Sequence, residues 1–545
     1  MSDALSPIEL EIIRNAFVAA AEEMSVTVWR TSRSSVVREM LDYSTGVFDA
    51  DGNSVAQSAR IPVHLNSMAA CLREVIDEHL PLDRWDEGDI VLTNDPYCGG
   101  QHLSDLQAFT PVFVNGERVA FAGVLVHHLD VGGGAPGSYA PQATEIFHEG
   151  IRIPPVKVVK RFERNHDLLR MFLQNSREPR NVGGDLDSQL AALAIGVRSL
   201  TKLSTRYGHN VLMAATQEIQ AQSERSLRQA ITAIPDGAYE FEDFVDDDGI
   251  TSDPIRIHVA LTVDNDHLTV DLSASDAQVS GPVNCTPNMT ASAVYCATLM
   301  AIGSDIPANA GCYRPVTIVA PPGRVVSAVE PAPVANRMAV GHRVVTTVLG
   351  AFAQAIPDQI PAAYYGVSYA YAVGLEREDG QRQVYFDLEC GGWGGHPQGD
   401  GANALSCGLH NIANSPIEMI ESTYAIEFTT YGLREGSAGA GRHRGGLGLV
   451  REFAVQTRAT LAANLDRFTF APYGLAGGEP GALGTLSITR AGREQAEPLS
   501  SKASGLTLSP GDRVRLETSG GGGFGDPSER PADLHDADRR NGYLG

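Results

Sequence analysis

No apolar run in this chain approaches the roughly 18 residues that a membrane-spanning helix needs, so no membrane partner is expected. There is no CxxC pair. The seven cysteines, Cys71, Cys98, Cys285, Cys296, Cys312, Cys390 and Cys407, are scattered over 545 residues. That distribution excludes a dense disulfide framework and fits a reducing compartment. The opening segment, MSDALSPIELEIIRNAF, carries acids where a secretory signal needs basic residues, and a cytoplasmic location is expected. No GxSxG nucleophile elbow is present, and no P-loop lysine follows a glycine-rich turn. Basic residues are also scarce: 42 Lys and Arg against 66 Asp and Glu, for a net charge of -24. Such a chain repels phosphate backbones at long range, which excludes nucleic acid as a partner.

What is present is apolar and turn-rich. Apolar residues make up 43%, enough for a sizeable core, and 56 glycines with 30 prolines indicate many tight turns. The length suits two to four domains or one large enzyme body with subdomains. Ser6-Pro7-Ile8-Glu9 has the N-cap, first-turn proline and acid of a helix start, with helical spacing to about Val28. Asp51-Gly52 and Asn115-Gly116 each sit between strand-like runs and predict hairpins. Residues 161–235 carry long helical periodicity, 236–360 are mixed, and 361–545 read as short strands joined by glycine-rich turns. The expected class is α+β: a large, mixed, multi-subdomain enzyme subunit with a β-rich C-terminal part.

Two glycine-framed clusters carry the chemistry. The first is Asp95-Pro96-Tyr97-Cys98-Gly99-Gly100-Gln101-His102-Leu103-Ser104-Asp105, and the second is His127-His128-Leu129-Asp130-Val131-Gly132-Gly133-Gly134. Imidazole and carboxylate together suit Zn, Mn or Fe. His102 and Asp105 are close enough for one turn to aim both at one point. His127 and His128 end a strand, and neighbouring strand residues point to opposite faces. One ligand and one supporting or substrate-binding histidine are therefore expected. The competing reading is a polar network that merely closes the loop. GGGGFGD (520–526) and GAGRHRGGLG (439–448) are weaker candidates for holding an anion, and the second reads better as a tight turn.

At these residues the chain resembles the hydantoinase B/oxoprolinase family. The likeness runs in order through Arg38–Ser44, Ile61–Leu65, both clusters, FHEGIRIPPVK (147–157), NVGGDLDSQLAAL (181–193), GGWGGHPQGDG (391–401) and the closing GGGGFGDP. It implies a metal-bearing subunit of an ATP-dependent hydrolase of cyclic amides such as a hydantoin, N-methylhydantoin, lactam or oxoproline. The alternative it carries is a subunit of a ketone carboxylase of acetone or acetophenone type. It implies Asp42, His102, Asp105 and His127 as ligands of a divalent metal, Zn or Mn ahead of Fe. Asp130, Glu149 and His128 become candidates for catalytic or supporting roles, and His64 falls in a matching motif. It further implies a hydantoinase A-type partner that uses ATP and Mg, in a hetero-oligomer. The metal site then lies within 1–160. The stretch Pro333–Arg343, PVANRMAVGHR, departs from the Gly-Asn-x-x-Thr-Ser pattern of oxoprolinases, which weighs against oxoproline itself.

Overall fold

The computed structural model describes residues 5–544 except 304, 378, 379 and 381. It begins as the sequence predicts. Helix Pro7–Thr31 is closed by a capping box in which Ser6 and Glu9 satisfy each other's backbone amides. Its buried face, Leu10, Ile13, Phe17, Met24 and Val28, packs against the long helix Pro179–Tyr207 and a seven-stranded antiparallel sheet.

That sheet contains β1 (Tyr43–Phe48), β2 (Ser54–Gln57), β3 (Ile90–Thr93), β4 (Asp105–Val114), β5 (Glu117–His127), β6 (Val156–Lys160) and β7 (Glu163–Arg164). Their order is β2-β1-β5-β4-β3-β6-β7. Both hairpins expected from Asp51-Gly52 and Asn115-Gly116 are present, as β1–β2 and β4–β5. The sheet is covered on both faces, and β5 shows why. Ala122, Val124 and Val126 point to the two long helices, whereas Phe121 and Leu125 point to Met68, Leu72 and Trp85 on the other side. Each fully buried aliphatic or aromatic side chain of this kind contributes about 1.5–3 kcal/mol. The helical segment 161–235 thus shares one core with the N-terminal sheet, through Val182, Leu186, Leu190 and Leu193.

A second sheet is built from β8 (Gly237–Val245), β9 (Ile255–Asp264), β10 (His267–Asp271) and β11 (Val316–Val319), ordered β11-β10-β9-β8. Helix Arg337–Ala355 lies on it beside helix Pro287–Ile302. The C-terminal part adds β12 (Tyr369–Glu376), β13 (Arg382–Glu389), β14 (Ile426–Leu433), β15 (Leu449–Val455), β16 (Ala459–Asn464), β17 (Thr485–Thr489), β18 (Ala496–Pro498), β19 (Lys502–Leu508) and β20 (Arg513–Glu517). These form one four-stranded and one five-stranded sheet, β13-β12-β16-β19 and β14-β15-β20-β17-β18. The mixed α+β class and the β-rich C-terminal part are as expected. Among the described residues, no helix is long and apolar enough to cross a membrane.

The glycine-rich segments of the C-terminal part pack against one another. The Gly446 amide donates to Trp393 O at 2.7 Å, Gly521 to Gly446 O at 3.0 Å and Gly522 to Ala363 O at 2.8 Å. A Cβ on Gly521 would lie 1.8 Å from Trp393 O, and one on Gly446 would lie 1.8 Å from Ala402 O. The amides of Gly523, Phe524 and Gly525 are likewise taken up by Glu479, His443 and Leu475 carbonyls. Backbone groups already paired in this way are not free to cradle phosphate, so neither glycine segment is an anion site of the P-loop kind.

Candidate metal centre

The hairpin β4–β5 sets the geometry. Asp105 opens β4 and His127 closes β5, and the two residues pair across the strands. His127 Nδ1 lies 3.4 Å from Asp105 Oδ1. His102 sits one turn ahead of Asp105, with Nε2 2.8 Å from the same Asp105 oxygen. One ligand atom from each of His102, Asp105 and His127 falls within 4.8 Å of the others, and all three residues are buried. Asp42, just before β1, comes alongside: its carboxylate is 3.7 Å from His127 Nδ1 and 4.0 Å from His64 Nε2. Its carbonyl also receives the His127 amide, at 3.2 Å. Gly99 makes the turn before His102 possible. It has φ +72°, and a Cβ there would sit 2.4 Å from Cys71 Cα.

Buried polar atoms are normally hydrogen-bonded. Yet His102 Nε2, Asp105 Oδ1 and His127 Nε2 are buried without a hydrogen-bond partner. The 2.8 Å approach of His102 to Asp105 brings two lone-pair atoms to one point without a well-formed hydrogen bond, as chelation requires. Burial, then the positive charge of Arg337, pushes the His102 imidazole down to about 3. It is therefore neutral near pH 7, the form that ligates. Burial alone would raise the Asp105 carboxyl, but His102 and Arg337 outweigh it and hold Asp105 well below the usual carboxylate range. The donor set fits a divalent cation.

The other sequence-predicted residues separate. His128 points to the opposite face, as strand alternation requires. Its ring meets Phe172 edge-on, and Nε2 is 3.5 Å from Gln189 Oε1. Burial pushes this imidazole down to about 4. Gln189 also donates to the carbonyls of Leu106 and Val124, both at 2.8 Å, tying helix Pro179–Tyr207 to the site's hairpin. Asp130 accepts from the amides of Gly132, Gly137 and Arg177 and from the Arg177 guanidinium at 3.0 Å. Its oxygens organise the glycine loop and are already occupied. Glu149 accepts from the amides of Val334 and Ala335 at 2.8 and 2.7 Å, through Oε1, while its buried Oε2 has no partner. Burial raises this carboxyl to about 8. Neither His128, Asp130 nor Glu149 lines the cavity beside the cluster.

That cavity is lined by Asp42, His64, His102 and His127 together with residues that sequence reasoning missed: Tyr139, Arg337, Ser368, Phe386 and His410. Phe386 stacks on His127 at 5.5 Å between ring centroids. Arg337 opens helix Arg337–Ala355 and donates from Nη2 to Asp105 Oδ2 at 3.0 Å. It belongs to the stretch that departs from the oxoprolinase pattern, which was the one available signal. A lone histidine such as His410 offered none.

The profile of the hydantoinase B/oxoprolinase family matches residues 6–527. A chain from Pseudomonas sp., named as one of the subunits of a putative D-/L-hydantoinase, is 31% identical, over 99% of this chain and 93% of its own. The crystal structure of the ATP-dependent caprolactamase from Pseudomonas jessenii superposes with a TM-score of 0.93 at 30% identity, covering 100% of this chain and 95% of that one. A nucleotide-free acetone carboxylase structure gives a TM-score of 0.92 over 99% of this chain and 78% of that one, and its 18% identity supports a shared fold alone. Agreement of profile, sequence and fold along nearly the whole length establishes that the chain belongs to the hydantoinase B/oxoprolinase family.

Proposed function

We propose that this chain is the metal-bearing B-type component of an ATP-dependent hydrolase of cyclic amides, with a hydantoin, N-methylhydantoin or lactam as substrate. The observation that carries the reading is the convergence of His102, Asp105 and His127 on one point, with buried lone pairs that no protein group satisfies. Asp42 stands as a fourth ligand, its carboxylate 3.7 Å from His127. Two imidazoles and two carboxylates suit Zn, Mn or Fe, and the family likeness puts Zn or Mn ahead of Fe.

The chemistry follows from the weakness of an amide as an electrophile. A hydantoinase A-type partner, using ATP and Mg, transfers a phosphoryl group to the amide oxygen. Water then adds to the activated carbon, and the ring C–N bond breaks with nitrogen taking a proton. A second water releases phosphate from the resulting acyl phosphate. A divalent ion held by the cluster supplies Lewis-acid activation of water near neutral pH. Arg337 holds Asp105 in place through its second oxygen, Phe386 fixes the His127 ring, and Asp130 and Glu149 hold the loops around them. The relative named as a subunit supports a partner chain and a hetero-oligomer, and the reducing-type cysteine usage supports a cytoplasmic location.

The test is reconstitution with the ATP-binding partner, ATP, Mg and a panel of hydantoins and lactams. ATP turnover that depends on one of these amides is expected. Turnover that instead requires bicarbonate and a ketone selects the carboxylase reading, and a chain that takes up no metal sinks both.

A further inference from the structure

On the wall of the cavity formed in part by Ser368 and His410, a chain of buried groups ends on one imidazole. Tyr364 Oη lies 2.8 Å from His342 Nδ1, and His342 Nε2 lies 3.4 Å from His410 Nε2. Ser368 Oγ lies 2.6 Å from the same His410 nitrogen. All four residues are buried.

Hydrogen-bond satisfaction favours one arrangement of protons along this chain. Among the described residues, the Tyr364 hydroxyl has no hydrogen-bond partner besides His342, and its buried O–H is satisfied only when the phenol donates to His342 Nδ1. A neutral His342 then carries its proton on Nε2 and directs it at His410 Nε2. That atom is thereby an acceptor, a role that Ser368 as donor reinforces. The proton of a neutral His410 is left on Nδ1. Nδ1 is buried and has no partner. Burial, then Arg337, pushes His410 down to about 3, which keeps the ring neutral. On the same cavity, the Arg337 Nε–H is also buried and unpaired. Two residues that line the cavity beside the His/Asp cluster, His410 and Arg337, thus each carry a buried N–H without a protein acceptor, one of them on a permanent cation.

We infer that His410 Nδ1–H and Arg337 Nε–H form a binding pair for the phosphoryl oxygens of the activated substrate. The inference rests on the proposed function, which brings a phosphorylated amide to this cavity and leaves inorganic phosphate in it. Donors fixed before the ligand arrives hold developing oxyanion charge without reorganisation. Tyr364, His342 and Ser368 are positioning residues: they set which His410 nitrogen bears hydrogen.

The probe is inorganic phosphate, titrated calorimetrically into the metal-loaded full-length chain. His410→Asn keeps an N–H near the δ position, whereas His410→Gln places its amide near the ε position and leaves the δ donor missing. Phosphate affinity is expected to fall at least about tenfold in His410→Gln, to stay within a few-fold of the parent in His410→Asn, and to fall in Tyr364→Phe, with metal content unchanged in all three. A merely structural histidine does not separate Asn from Gln in this way. Equal phosphate affinity in the parent and His410→Gln, or no phosphate binding by the metal-loaded parent, overturns the inference while leaving the metal site standing. A parent chain that takes up no metal overturns the proposed function and this inference with it.

Discussion

Asp105 and His127 face each other across the open end of the β4–β5 hairpin, with His127 Nδ1 3.4 Å from Asp105 Oδ1. Strand pairing brings them together: the tight turn at Asn115-Gly116 starts the hairpin, and an irregularity between Val112 and Phe113 shifts the register by one residue, so that Asp105 meets His127 rather than Val126. His102, one turn earlier in the chain, then completes the cluster at no further topological cost.

Removing a member of this cluster is expected to remove the metal. His102→Ala and Asp105→Asn should lower bound metal more than about tenfold, measured by inductively coupled plasma analysis of purified protein, and amide-dependent ATP turnover should fall in parallel. Full metal content in His102→Ala would rule the histidine out as a ligand.

Asp130 is expected to matter for stability before chemistry. Its carboxylate is buried, pairs with Arg177 and receives three backbone amides. Breaking a buried pair from one side costs about 3–5 kcal/mol. Asp130→Ala should therefore show a clear loss in denaturant or thermal unfolding. A variant as stable as the parent but catalytically dead would instead make Asp130 a proton carrier.

Glu149 gives a pH signature. Burial raises its folded pKa to about 8 from the ordinary 4.5. The folded state thus holds a proton that the unfolded state releases above about pH 4.5, and stability falls as pH rises from there to about 8. The full penalty is on the order of 5 kcal/mol. Glu149→Gln has no such proton to lose. Its stability relative to the parent should therefore climb across that window and level off above it. A constant difference between the two proteins at all pH values would contradict this.

The glycine-packed segments predict a sharp contrast. Gly521→Ala places a Cβ 1.8 Å from Trp393 O, whereas Gly432→Ala meets nothing within 4 Å. The first should cost more than about 3 kcal/mol or abolish soluble expression. The second should change the melting temperature little. Equal tolerance at both sites would mean that the glycine segments are not tightly packed.

Local signals in the sequence carried a good deal. The capping box at Ser6 and Glu9, the two hairpins, the long helical periodicity of 161–235 and the pairing of His102 with Asp105 all depend on residues a few positions apart, so their periodicity and turn chemistry are visible in one dimension. Alternation along a strand also determined that His127 and His128 would part. Tertiary structure alone decided the rest. Arg337 is 232 positions from Asp105, and His410 reaches the cavity beside His127 through a fold that no local spacing encodes. The family likeness suggested Asp42, but only packing of the segment before β1 against the end of β5 brought its carboxylate to His127. The same long-range packing turned the C-terminal glycines from possible anion cradles into a close-packed backbone layer, because the amides that would hold an anion are already bonded to distant carbonyls.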